Sequence, residues 1–143
     1  MDKDIIEVLR NTKNFFSGKP ATLEQVEQAQ KELGLKFAED YIKYLLEFGT
    51  ASFYGTELMG ITDDPRCKYM SVVYETLEEK KYDDTVPYNM YVIENLGIDG
   101  LLTWQDESGA VYSKMRYDGE IEKLADSLSE YIDMVVAEDA MVD

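Results

Sequence analysis

The sequence predicts an α+β fold: an N-terminal helical hairpin, a mostly antiparallel β-sheet meander and a C-terminal helix packed on the sheet. Three observations predict it. Apolar residues recur at helical spacing through the first fifty residues, with a capping signal ahead of them and glycines behind. Runs rich in β-branched and aromatic residues, separated by turns containing Gly and Asp, fill about residues 89–116. Helical spacing then returns from Leu124 onward. Helices and antiparallel strands segregated along one chain define this class.

The first segment, Asp4 to about Phe16, sets Ile5, Val8, Leu9 and Thr12 on one face, and Ser17-Gly18-Lys19-Pro20 breaks it. Thr22-Leu23-Glu24-Gln25 forms a capping box, with Thr22 as N-cap and Gln25 at the third helical position. Val26, Ala29 and Leu33 follow at helical spacing, and Gly34 suits a left-handed C-terminal residue. A second helix runs from about Glu39 to Phe48, with Tyr41, Ile42, Leu45 and Phe48 as its apolar stripe and Gly49 closing it. Tyr69 to Leu77 reads equally as strand or helix.

Asn89 to Glu94, Leu101 to Gln105 and Ala110 to Arg116 read as strands. Gly97-Ile98-Asp99-Gly100 and Asp106-Glu107-Ser108-Gly109 read as the turns between them. Asp118-Gly119 reads as a further hairpin turn, because Gly accepts positive φ without steric cost. Leu124, Leu128, Tyr131, Ile132 and Val135 make the closing amphipathic helix, with a frayed tail at about 138–143. The expected packing buries Leu45, Phe48, Trp104 and Leu128 between helices and sheet. It leaves the other side of the sheet, or its loops, to meet a partner.

The 143 residues fit a single domain, and no Pro/Gly-rich linker or repeat divides them. Thirty acids against fourteen bases give a net charge of -16. Residues 1–50 hold seven bases and nine acids, whereas residues 51–143 hold seven bases and twenty-one acids. Such a chain is unsuited to a phosphate backbone and to anionic lipid, and its field speeds encounter with a basic protein. No nucleic-acid or membrane partner is therefore expected. Met1-Asp2-Lys3-Asp4 carries neither the basic nor the apolar part of a signal peptide, and no apolar run reaches membrane-spanning length. With a single cysteine, Cys67, the chain suits a reducing cytoplasm.

There is no histidine. That excludes His-dependent nucleophiles and His-ligated zinc, and one cysteine cannot complete a thiolate zinc site. The acidic pairs Asp63-Asp64, Asp83-Asp84 and Asp106-Glu107 match no EF-hand spacing and read as solvated loop charge. Gly55 and Gly60 lack the Lys of a phosphate loop. Cys67, between Arg66 and Lys68, has no partner base. No metal, cofactor or catalytic constellation is thus expected, and an enzyme is the weakest of the functional classes. The eleven tyrosines offer a different chemistry, since Tyr rings give large contact area at low entropic cost. The loop rings beside acids, Tyr54, Tyr69, Tyr82 and Tyr88, are the candidates for an exposed recognition surface.

Three stretches, taken together, resemble the SUKH superfamily. The first is Ala21-Thr22-Leu23-Glu24-Gln25-Val26-Glu27 with Leu33-Gly34, then Asp40-Tyr41 and Leu45-Leu46-Glu47-Phe48-Gly49. The second is Leu101-Leu102-Thr103-Trp104 with Gly109-Ala110-Val111-Tyr112, similar to the family's central hairpin. The third, Leu124-Ala125-Asp126-Ser127-Leu128-Ser129-Glu130-Tyr131-Ile132, looks like its closing helix. One position departs: the family usually places a Pro before the second helix, where this chain has Phe37-Ala38-Glu39-Asp40-Tyr41.

The resemblance implies a SUKH-like α+β domain over residues 1–143 that binds a protein and supplies no catalytic residue. In bacteria it implies an immunity protein that blocks a cognate toxin, often a nuclease. The alternative is a regulatory or scaffold domain of the same superfamily. On the immunity reading, Asp63, Asp64, Asp83, Asp84, Asp99, Asp106 and Glu107 pair with Arg and Lys of the toxin. Tyr69, Tyr82 and Tyr88 then provide the desolvated anchors, and the protein acts as a monomer or weak dimer.

Overall fold

A computed structural model describes residues 4–97 and 100–142. Helix α1 (Ile5–Arg10) starts at Asp4, whose carboxylate accepts from the Ile6 N–H. It is shorter than its apolar spacing suggested, because Phe16 and Ser17 leave it to form strand β1 (Phe16–Ser17). Helix α2 (Leu23–Leu33) has the expected capping box, with Gln25 N–H donating to Thr22 Oγ1 and Thr22 N–H donating to Gln25 Oε1. Gly34 ends it at φ 67°. Helix α3 (Glu39–Phe48) follows.

Strands β2 (Ala51–Phe53) and β3 (Thr56–Leu58) join β1 in a small antiparallel sheet in the order β1-β2-β3. A 3₁₀ segment, Pro65–Met70, leads into helix α4 (Val72–Tyr82), so the ambiguous 69–77 stretch is helical from Val72. The meander is β4 (Tyr91–Asn95), β5 (Leu101–Gln105), β6 (Val111–Met115) and β7 (Glu122–Ala125), each antiparallel to its neighbour. Helix α5 (Leu128–Val142) closes the chain. The described residues thus form two sheets, not one. They meet at a bulge: the β4–β5 register shifts between Val92 and Glu94, and the Ile93 carbonyl accepts from the Met59 N–H at 2.8 Å.

Leu45, Phe48, Trp104 and Leu128 are all buried, in one continuous core. Trp104, Tyr41, Tyr44 and Tyr91 are its bulkiest members. Their phenols do not face water: Tyr41 donates to the Met59 carbonyl (2.7 Å), Tyr44 to that of Leu58 (3.0 Å) and Tyr91 to Gln105 Oε1 (2.8 Å). Burial pushes all three phenol pKa values well above the usual tyrosine range.

Asp40 ties three elements together. Its Oδ1 accepts from Gln105 Nε2 of β5 (3.1 Å) and its Oδ2 from the Leu128 N–H at the start of α5 (2.8 Å). The carboxylate thus adds a long-range cap to the local one that Ser127 Oγ supplies by accepting from the Glu130 N–H (3.1 Å), on the end of the helix where negative charge is favourable.

Two details of the closing region differ from expectation. Leu124 belongs to β7 and not to the last helix, which starts only at Leu128; helical spacing there ran through a strand end and a turn. In the β6–β7 turn the left-handed residue is Tyr117 (φ 66°), not Gly119.

Candidate functional site

Asp83 caps the C-terminal end of α4, and the structure removes it from the exposed surface. Its carboxylate accepts from Thr85 N–H (3.0 Å) and Oγ1 (2.5 Å), from Tyr117 N–H (2.8 Å) and from Lys114 Nζ (2.9 Å). Burial alone would raise this carboxyl, but these donors together hold it well below the usual carboxylate range. A charge so completely paired inside has nothing left to offer a partner. The expectation that Asp83 meets a toxin is therefore corrected: Asp83 holds the loop, and the bond from Tyr117 N–H accompanies that residue's left-handed backbone.

Tyr82 and Asp84 flank this anchor in the chain and Tyr117 is hydrogen-bonded to it, all three with exposed side chains; Tyr88, farther along the loop, is exposed too. Thr85 Oγ1 also reaches the Asp118 carbonyl (3.4 Å), so the α4–β4 loop and the β6–β7 turn form one end of the meander. Glu79 and Arg116 close the same end with a two-bonded fork, both contacts at 2.8 Å. Tyr117 was not among the candidate rings, although it stands beside Asp118-Gly119 and had the same signal as the others.

The other candidates stand elsewhere. Asp63 is exposed before the 3₁₀ segment, and Tyr69 is exposed within it. Asp64 caps that segment, and the guanidinium of Arg66 (3.1 and 3.0 Å) with its N–H holds the carboxyl below its ordinary value. Asp106 shapes the β5–β6 hairpin by accepting from Ser108 N–H (3.0 Å) and Oγ (2.5 Å) and from the Tyr112 hydroxyl (3.1 Å). Glu107 is exposed and, with Glu39 and Asp126, lines a polar cleft of about 500 Å³. Asp99 lies outside the described residues.

The register separates these groups. Gln105 pairs with Val111 at the hairpin carrying Asp106 and Glu107, whereas Leu101 pairs with Met115 at the opposite end, beside Asp83 and Tyr117. The acids therefore do not make one patch. Tyr82 and Tyr117 line one cleft with Asp83, while Asp106 and Glu107 stand at the far end of the strands.

A concavity of about 840 Å³ lies between α2 and α4, where the sequence reading places no site. Ile61 and Ala29 are among its apolar lining, Val73, Tyr74 and Leu77 line the α4 side, and Glu24, Glu27, Lys31 and Glu32 supply charge from α2. The only sequence signal was the pair Val73 and Leu77, four residues apart inside a stretch whose type was open.

Among the described residues no group of three or more His, Cys, Asp or Glu is arranged to hold a metal, and no helix is long and apolar enough to cross a membrane. No curated protein matches the chain. The family SUKH_5, described as SMI1-KNR4 cell-wall, matches residues 3–137. The motifs, the α+β architecture and that match agree, and the chain belongs to the SUKH superfamily.

Proposed function

We propose that the chain is an immunity protein that binds and neutralises a cognate toxin with a basic surface, a nuclease domain being the class that fits best. The observation that carries the reading is the family match over residues 3–137. The net charge of -16 gives the sign of the partner. Nuclease active sites attract polyphosphate, and an acidic protein competes for the same field. No catalytic step is assigned to the chain; it acts by occupying its partner.

Within this reading Asp63, Asp84, Glu107 and the rings of Tyr69, Tyr82, Tyr88 and Tyr117 are the candidate contacts, and Asp64 and Asp106 contribute from turns they also shape. The test is co-expression with candidate basic nuclease toxins, followed by co-purification. Rescue of growth and a stable complex whose association slows as salt is raised are expected. Neither rescue nor complex across the candidate set would overturn it. The family's cell-wall description favours a second reading, a regulatory protein-interaction domain; co-purification with a non-toxic regulatory partner would select it.

A further inference from the structure

Helix α4 buries two polar residues and exposes two apolar ones. Its inward face holds Val72, Thr76 and Glu79, all buried, while Tyr74 and Leu77 are 43% and 45% exposed. Each buried polar group has a structural reason. Thr76 Oγ1 accepts from the Val92 N–H at 2.9 Å, and Glu79 takes the fork of Arg116. Among the described residues the exposed pair Tyr74 and Leu77 caps no backbone group, and only Tyr74 has a ring contact, with Lys68. With half-buried Val73, at i and i+4 from Leu77, they form a second apolar stripe along the α2–α4 groove.

Hydrogen bonds fix the start of α4, at one end of the groove. Ser71 caps α4 by accepting from the Tyr74 N–H, and Gly60 bridges to it on both sides, donating to the Met70 carbonyl and accepting from the Val72 N–H, both at 2.8 Å. The opposite wall is acidic: Glu24, Glu27 and Glu32 stand exposed on α2 against one cation, Lys31. The Tyr74 ring already carries a cation, Lys68 Nζ lying 5.8 Å from its centroid.

We propose that the α2–α4 groove is a docking site for a basic amphipathic helix of the protein partner. One apolar ridge of that helix packs on Val73 and Leu77, and its Lys and Arg side chains reach Glu24, Glu27 and Glu32. Two helices already in contact present a groove shaped for the ridge of a third. The occupant's positive flank follows from the three glutamates, and its apolar ridge from the exposed apolar residues of α4. This deepens the immunity reading by giving the partner a recognition element.

The test is an amide NMR titration of the full chain with a short Leu/Lys peptide patterned as an amphipathic helix. Two controls accompany it: a scrambled Leu/Lys peptide and a Leu/Glu peptide with the same apolar ridge. Binding is expected for the patterned Leu/Lys peptide alone, with shifts centred on Glu24, Gln28, Val73 and Leu77. Leu77→Lys, on an exposed site, is expected to weaken it at least tenfold with an unchanged fold. Absence of binding, equal binding of either control, shifts centred elsewhere, or an unaffected Leu77→Lys variant each overturn the proposal. The peptide experiment needs no toxin. A groove that binds the peptide in a chain that rescues no toxin sinks the immunity reading alone. A rescued toxin whose affinity ignores Leu77→Lys sinks the groove alone.

Discussion

Lys114 Nζ lies 2.9 Å from Asp83 Oδ2, and the two side chains are only 1% and 2% exposed. One residue comes from the middle of the meander and the other from the C-terminal cap of α4, so this pair fixes the end of α4, with Tyr82, and the loop after it, with Asp84 and Tyr88. Removing either charge leaves the other buried. Lys114→Met is expected to cost about 3–5 kcal/mol. In the double variant Asp83→Leu/Lys114→Met much of that charge penalty should return, less the cost of leaving the Tyr117 N–H and Thr85 without their acceptor. Urea melts read by the fluorescence of buried Trp104 measure both.

Acid should act through the same carboxylate. The folded state holds Asp83 below its ordinary value, so the unfolded chain takes up this proton first as pH falls. The stabilisation is fully present above about pH 4, the ordinary carboxylate range, and is lost progressively below it. Subtracting the stability curve of Asp83→Asn from that of the parent should isolate a difference that is constant near neutrality and falls in acid. A flat difference down to the lowest pH measured would count against it.

Lys80 should act at the other end of the scale. Burial pushes its ammonium down to about 8, while Nζ donates to the Tyr88 carbonyl at 2.7 Å. Between about pH 8 and the ordinary lysine value near 10.4, the unfolded chain holds a proton the folded chain has shed, so this component of stability rises with pH. Partial exposure limits it to about 1 kcal/mol. The rise should be missing from Lys80→Met melts compared across the same range.

Gly60 packs where no side chain fits. A Cβ there would lie 1.7 Å from the Gly49 carbonyl oxygen, and Gly49 itself, at φ 71°, would place a Cβ 2.0 Å from the Lys19 carbonyl oxygen. Both contacts are backbone, so neither can yield by rotating a side chain. Gly60→Ala is expected to destabilise by about 3 kcal/mol or more, at the upper end of single-residue effects. Thermal unfolding should show a clear drop, whereas Gly119→Ala, with open space around it, should stay within about 0.5 kcal/mol.

The buried Thr76 and exposed Leu77 of α4 predict an inverted mutational response. Thr76→Val strips the Val92 N–H of its acceptor in the core and should cost about 1–3 kcal/mol despite its apolar replacement. Leu77→Ser, on the open face, should change stability by only about 0.5 kcal/mol. Denaturant midpoints of the two variants check this directly. Equal losses would mean that α4 is oriented differently.

The legible parts of the sequence were those whose physics is local. The Thr22–Gln25 capping box, Gly34 as the C-terminal stop and the Glu39–Phe48 span are each written within a few residues. Leu124 shows where that fails: a strand end followed by a turn mimics helical spacing, and only the pairing of β7 with β6 distinguishes them. Ala38 shows a departure from the family that becomes intelligible in space. Its N–H donates to the Tyr91 hydroxyl at 2.9 Å, a bond the usual Pro could not make.

Sequence alone determined the α+β class, the absence of histidine chemistry and the sign of the field, because composition, periodicity and capping are properties of short stretches. Tertiary structure decided which charges are surface and which are scaffold. Asp83 and Asp84 are adjacent and chemically identical, yet one is sealed against Lys114 and the other stands in water. The difference arises from a lysine thirty-one positions away that only the folded sheet brings within hydrogen-bonding reach. A different long-range contact, from the Val92 N–H, holds Thr76 in the core while Leu77 stays exposed in the groove between α2 and α4.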